Sequence, residues 1–136
     1  MNAEMKPELF WLVLTAMMTA VIFVPYILNR MKEHGIWPAI YNPQPDVRPK
    51  APWAERLMRA QANAVENLVV FAPLVLVLQL TGMSTATTAS ACMVYFFVRL
   101  AHIFSYTFAI PVLRTVAFIA GFGCQMTLGL TLLRVI

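Results

Sequence analysis

The sequence predicts an all-α integral membrane protein, a bundle of four membrane-spanning helices. Four apolar segments recur along the chain, each close to the ~20 residues that cross a hydrocarbon core. The composition is 60% hydrophobic and 12% charged, with a mean hydropathy of +0.72, outside the range of ordinary soluble domains. The segments are also far too long for strands of a closed barrel, the other fold that satisfies backbone groups in lipid.

The first segment, Leu9 to Leu28, reads as a retained span rather than a signal peptide. It exceeds the ~7–15 residues of a signal core, and Asn29-Arg30-Met31-Lys32 follows it in place of a small-residue cleavage site. The connection that follows, 29–56, is the only substantial loop. It carries Pro38, Pro43, Pro45, Pro49 and Pro52 with Asn42 and Asp46, so it cannot be helical throughout. Trp37, Tyr41 and Trp53 flank it, as rings at headgroup level do. It is either an interfacial connection or one wall of a site.

The second span runs from Leu57 to Leu80 and the third from Thr85 to Tyr106. The short turn Thr81-Gly82-Met83-Ser84 makes them antiparallel neighbours. Ala109-Ile110-Pro111 leads into the fourth span, Val112 to Val135, with Pro111 suited to a first helical turn. Gly121, Gly123 and Gly129, with Ala117 and Ala120, form a small-residue face that reads as helix packing in lipid. The whole chain is expected to be a single four-span domain.

Basic residues orient it. Arg30, Lys32, Arg48, Lys50, Arg56 and Arg114 fall on one side, against Lys6 and Arg134 on the other. The long loop is therefore expected in the cytosol and both termini outside it; in a bacterium the membrane would be the cytoplasmic one. The formal net charge of +4 is juxtamembrane, with no basic run interleaved with aromatics, so no nucleic-acid partner is implied. Cys92 and Cys124 lie within spans without metal-type spacing and read as buried structural thiols.

Two polar strings interrupt the apolar helices, each on one helical face. Arg56, Arg59, Asn63 and Glu66 form the first; Arg99, His102 and Tyr106 form the second. Ionisable groups at membrane depth are costly and mark functional candidates. At ~1.5 Å per residue, Glu66 lies about 15 Å in from Arg56, and Arg99 about 10 Å in from Tyr106. Matching these depths pairs Glu66 with Arg99, Asn63 with His102 and Arg59 with Tyr106, as one polar seam between the second and third spans. Glu66 and Arg99 then form a structural ion pair, or Glu66 accepts a ligand ammonium or N–H while Arg99 orients it. Arg59, Asn63, His102, Tyr106 and Arg114 supply cations and donors suited to an anionic, peptide-like or multi-carboxylate ligand. His102, taken singly, reads equally as a core histidine, and no second His or Cys/Asp cluster supports a metal site.

Arg56-x-x-Arg59-Ala60-x-x-Asn63-x-x-Glu66-Asn67, followed by Phe71, resembles the signature of the membrane-associated proteins in eicosanoid and glutathione metabolism, the MAPEG family. Arg99-x-x-His102-x-x-x-Tyr106, with Pro111 and Arg114 opening the last helix, is similar to the third-to-fourth helix region of that family. The stretch from Gly121 to Arg134 resembles the last helix of its microsomal glutathione transferases, and the overall character is closest to bacterial members of that type. Ala62 and Phe118 depart from the basic residue and the Tyr that some members carry there, and Pro111 stands three residues before Arg114 where two is commoner.

The resemblance implies a homotrimer binding glutathione as cosubstrate between subunits, with no metal, and acting on a lipophilic electrophile or hydroperoxide from the bilayer. Carried over by position, Arg59, Asn63, Glu66, His102, Tyr106 and Arg114 match glutathione-binding positions. Arg114 falls where the thiol-activating Arg sits, with Thr115 beside it, and Arg30 matches a first-helix contact. A free thiol has a pKa of ~8.5, and a fixed guanidinium beside the sulfur favours the nucleophilic thiolate. The reading is a membrane glutathione transferase or peroxidase. Its alternatives are a non-catalytic lipid-binding or scaffold protein and a small multidrug transporter.

Overall fold

The computed structural model describes residues 4–41 and 48–136. Pro43, Pro45, Asn42 and Asp46, part of the expected loop, lie outside the described residues. The described helices are α1 (Pro7–Val21), α2 (Phe23–His34), α3 (Ile36–Tyr41), α4 (Pro52–Thr81), α5 (Ala86–Thr107) and α6 (Pro111–Leu132). Four stretches are long and apolar enough to cross a membrane: Pro7–His34, formed by α1 and α2 together, Pro52–Thr81, Ala86–Thr107 and Pro111–Leu132. The chain is an all-helical membrane protein.

Helix boundaries follow local chemistry. Proline stands in the first turn of α1, α4 and α6, where a missing N–H costs nothing. Between α1 and α2 the helix is interrupted at Ile22, whose own dihedrals remain helical (φ −60°, ψ −29°). Pro25 accounts for this, because it lacks the N–H that would bond the Val21 carbonyl. Helix α5 opens on a reciprocal pair, Thr88 N–H to Thr85 Oγ1 at 3.2 Å and Thr85 N–H to Thr88 Oγ1 at 2.8 Å.

The loop is shorter than the hydropathy implies. Asn29-Arg30-Met31-Lys32 ends the apolar stretch but not the helix, which continues to His34. Asn29 Nδ2 donates to Glu33 Oε2 one turn on at 3.0 Å, and Gly35 (φ 86°) ends the helix. Beyond it, Trp37 and Tyr41 stack at 5.2 Å on α3, both exposed.

Helix α5 is central, packing against α1, α4 and α6. Its Tyr95 ring stacks on Phe71 of α4 with centroids 3.8 Å apart. Around them Val75 and Leu78 of α4, Cys92 of α5, and Cys124 and Leu128 of α6 form the main core. Small residues let α6 approach α5: a Cβ placed on Gly121 would stand 3.6 Å from Arg99 Cδ. Gly123, by contrast, has open space beside it, so the small-residue face is only partly used. The outer surface carries many large apolar side chains, as a lipid-facing surface does.

Candidate functional site

The two polar strings meet in a register different from the depth-matched one. Arg99, 1% exposed, donates from Nη2 to Asn63 Oδ1 at 2.6 Å. Farther along, Arg56 Nε donates to the Thr107 carbonyl at 2.8 Å, holding the end of α5 to the start of α4. These two bonds place α5 about one helical turn from the alignment that pairs Glu66 with Arg99. The expected Glu66–Arg99 ion pair does not form. Glu66 is exposed on the outer face of α4, and ion pairs form instead at Arg48–Glu55 and Arg59–Glu55. The physical reason is angular: on α4 the inward position belongs to Asn63, and Glu66 lies beyond its edge.

Asn63 belongs to a wider network. Asn67 Nδ2 donates to the Asn63 carbonyl at 2.9 Å, and Gln125 Nε2 of α6 donates to the Asn67 carbonyl at 3.2 Å. Gln125 also reaches the Tyr95 hydroxyl at 3.5 Å. Three helices thus converge on amide groups around Arg99. Gln125 could have been anticipated, because it shares a helical face with Gly121 and Leu128.

Nearer the α5–α6 turn, His102, Tyr106, Arg114, Thr115 and Phe118 line a cavity of about 260 Å³. The Arg114 guanidinium carbon sits 5.0 Å from the Tyr106 ring centroid, a cation–π distance. His102 leans toward both Tyr106 and Phe118, with centroids 5.8 and 6.3 Å away. His102 is buried and its Nδ1 has no hydrogen-bond partner. Thr115 donates its hydroxyl to the Pro111 carbonyl at 3.2 Å. Arg114 stands in the first turn of α6, where the helix dipole adds positive potential.

The turn sets this arrangement. The Ile110 N–H reaches back to the Ser105 carbonyl at 2.8 Å and the Ala109 N–H to that of Tyr106 at 3.3 Å. This is the paired closure of a helix ending on a left-handed residue, here Ala109 at φ 58°. It folds α6 back so that Arg114 faces Tyr106.

The remaining candidates lie apart from this cavity. Arg59 is exposed and pairs with Glu55 at 3.3 Å; Glu66 is exposed on the same helix. Arg30 lines a small crevice with Tyr26, Glu33 and Met58 between α2 and α4. The structure therefore brings together His102, Tyr106, Arg114 and Thr115, joins Asn63 to Arg99, and leaves Arg59 and Glu66 facing outward. Among the described residues, no group of three or more His, Cys, Asp or Glu side chains is placed to hold a metal ion.

One polar cluster escaped the sequence reading. Glu8 is 2% exposed, accepts hydrogen bonds from Ser84 and from Thr88 Oγ1, the latter at 2.8 Å, and keeps Oε2 without a partner. An acid in the first turn of a helix is common for dipole reasons, so nothing marked it as buried.

No individual curated protein matches the chain significantly. A profile described as the MAPEG family matches residues 9–134, nearly the whole length. With four spans and the polar faces that the family signature implies, the chain belongs to the MAPEG family.

Proposed function

We propose that this protein is a glutathione-dependent membrane transferase or peroxidase that works as a homotrimer. MAPEG proteins include glutathione transferases and peroxidases as well as non-catalytic members. The observation that supports catalysis is the Arg114 guanidinium held over Tyr106 at the mouth of the His102–Thr115 cavity. The donor set suits an anionic tripeptide: a cation, a buried imidazole nitrogen without a partner and a phenol.

Glutathione supplies the nucleophilic sulfur. Arg114 is assigned to stabilise the thiolate, aided by the N-terminal end of α6 and by the Tyr106 hydroxyl. His102 and Thr115 complete that wall, although Thr115 must first release the Pro111 carbonyl to donate. Arg59, Asn63, Glu66 and Arg30 are assigned to the rest of the peptide. The outward placement of Arg59 and Glu66 suits a ligand shared with a neighbouring copy. An apolar electrophile or hydroperoxide then arrives from lipid, and catalysis rests on positioning and thiol activation.

The test is the ultraviolet absorbance of the thiolate on adding millimolar glutathione to the detergent-purified protein, with conjugation of an aryl halide as the second readout. The wild type should show both. Arg114→Ala should reduce the thiolate signal at neutral pH by about tenfold or more, since an adjacent opposite charge shifts a pKa by ~1–3 units. Absent glutathione binding in the wild type refutes the proposal; an unchanged signal in Arg114→Ala removes that residue from the thiol.

A further inference from the structure

A second cavity, of about 370 Å³, lies on the other side of α5, and nothing in the proposed chemistry uses it. Its walls are Met18 and Pro25 of the first span, Trp53 and Leu57 of α4, and Leu100 and Phe104 of α5. Phe104 lies two residues from His102, about 200° or just over half a turn round the helix, on the opposite face of α5. Within one subunit, this cavity therefore does not continue into the Arg114 site.

Three features define what fits. The lining is apolar, with the Thr107 hydroxyl as its polar member, and that hydroxyl is already donated to the Ile103 carbonyl at 2.8 Å. Pro25, Phe104 and Phe108 on the rim are exposed, so the cavity opens sideways from the bundle at membrane depth. Met18 to Pro25 covers about 10 Å along the helix axis, and the volume falls in the ~300–1,000 Å³ range of small-molecule pockets. The space is apolar and of a size that a hydrocarbon chain can fill.

Net positive charge lies at one end only. Arg56 is not itself a lining residue, but its Nε donates to the carbonyl of Thr107, which is one, so a guanidinium with four further N–H donors is held next to the cavity. In sequence, residues 30–59 carry six basic side chains against three acidic ones. At the opposite end, Lys6 and Arg134 are balanced by Glu4 and Glu8. A juxtamembrane basic cluster attracts anionic lipid headgroups.

We infer that this cavity is a binding site for an anionic phospholipid of the leaflet nearest residues 30–59, with one acyl chain between α1–α2, α4 and α5 and its phosphate at Arg56. Bilayer lipid reaches the opening laterally, and only an amphiphile satisfies the apolar interior and the cationic mouth together.

Trp53 reports directly on occupancy. The protein with Trp11→Phe and Trp37→Phe retains it as the single tryptophan and is reconstituted in phosphatidylcholine vesicles. Phosphatidylglycerol with brominated acyl chains should quench Trp53 saturably at low mole fraction. Brominated phosphatidylcholine should quench only in proportion to its bulk share. Arg56→Gln should lower the apparent preference for phosphatidylglycerol about fivefold, the effect of one cation at an anionic surface. Met18→Phe and Leu100→Phe fill the cavity from opposite walls; each should abolish the saturable component while circular dichroism shows unchanged helix content. Equal, linear quenching by both lipids overturns the inference, because it describes ordinary bilayer solvation. Absence of quenching by either lipid also overturns it, and identifies the face as covered by a second copy of the chain.

Discussion

Arg99 on α5 and Asn63 on α4 are joined by a 2.6 Å hydrogen bond inside the bundle, with Arg99 almost wholly buried. The bond gives a guanidinium at membrane depth a neutral partner, not a carboxylate, and leaves its Nη1 without a partner. It also fixes how far α5 slides along α4, which decides how high His102 and Tyr106 stand above the core. The register of the hairpin and the placement of the site are thus one structural fact.

Asn63→Leu should therefore destabilise the protein by about 2–3 kcal/mol, because it removes a hydrogen bond to a buried charge. Asn63→Asp should be at least as stable as the wild type, since it places a counter-charge on the same guanidinium. Thermal denaturation of both variants in the same detergent distinguishes this from a role for Asn63 in helix propensity alone, on which Leu would stabilise the helix and Asp would not.

Much of this was legible in the sequence. Hydropathy and helical period are local properties, so the four spans and the two polar faces could be read without knowing their packing. The partners were harder. Opposite charge favours Glu66 for Arg99, yet a difference of one turn and a small rotation give that place to Asn63. Glu8 was invisible for a related reason: only the tertiary fold brings Ser84 and Thr88 to it. Arg114 and Tyr106 are eight residues apart across a turn, and their approach depends on the closure at Ala109 rather than on any helical spacing.

That closure predicts a stabilising substitution. Ala109 adopts φ 58°, a conformation that costs a residue with a Cβ roughly 1–2 kcal/mol. Gly82, which closes α4 in the same manner at φ 67°, lacks this strain. Ala109→Gly should raise thermal stability by about 1 kcal/mol, whereas Ala109→Val should lower it. If glycine destabilises, the turn is held by contacts beyond its backbone hydrogen bonds.

At the far end of the bundle, Glu8 joins the start of the first span to the start of α5 through two hydroxyls. Both hydroxyls donate to Glu8 Oε1, so Glu8→Ala removes the shared acceptor and should cost about 2 kcal/mol. Ser84→Ala should cost less than Glu8→Ala, and combining the two should add little, because the same bond is already lost; Thr88→Ala should add a further loss, because its Oγ1 also accepts the Thr85 N–H in the cap of α5. An additive loss in the Glu8→Ala/Ser84→Ala double variant would show that the Ser84 hydroxyl acts through another neighbour.

Tyr106 offers a separation of two effects at the proposed site. Its ring carries the Arg114 guanidinium at 5.0 Å, while its hydroxyl is a separate hydrogen-bond donor. Tyr106→Phe keeps the ring and deletes the donor; Tyr106→Ala deletes both. A cation–π contact at a partly exposed site is worth about 0.5–1 kcal/mol, a factor of roughly two to five. If the hydroxyl donates to the thiolate, Tyr106→Phe should move the midpoint of the glutathione thiolate titration to higher pH while leaving glutathione affinity nearly unchanged. Tyr106→Ala should show the same upward shift and a further two- to fivefold loss of affinity, because Arg114 is no longer held in place. A Phe variant that titrates like the wild type assigns the thiolate to Arg114 and the α6 terminus alone, with Tyr106 acting only to position the guanidinium.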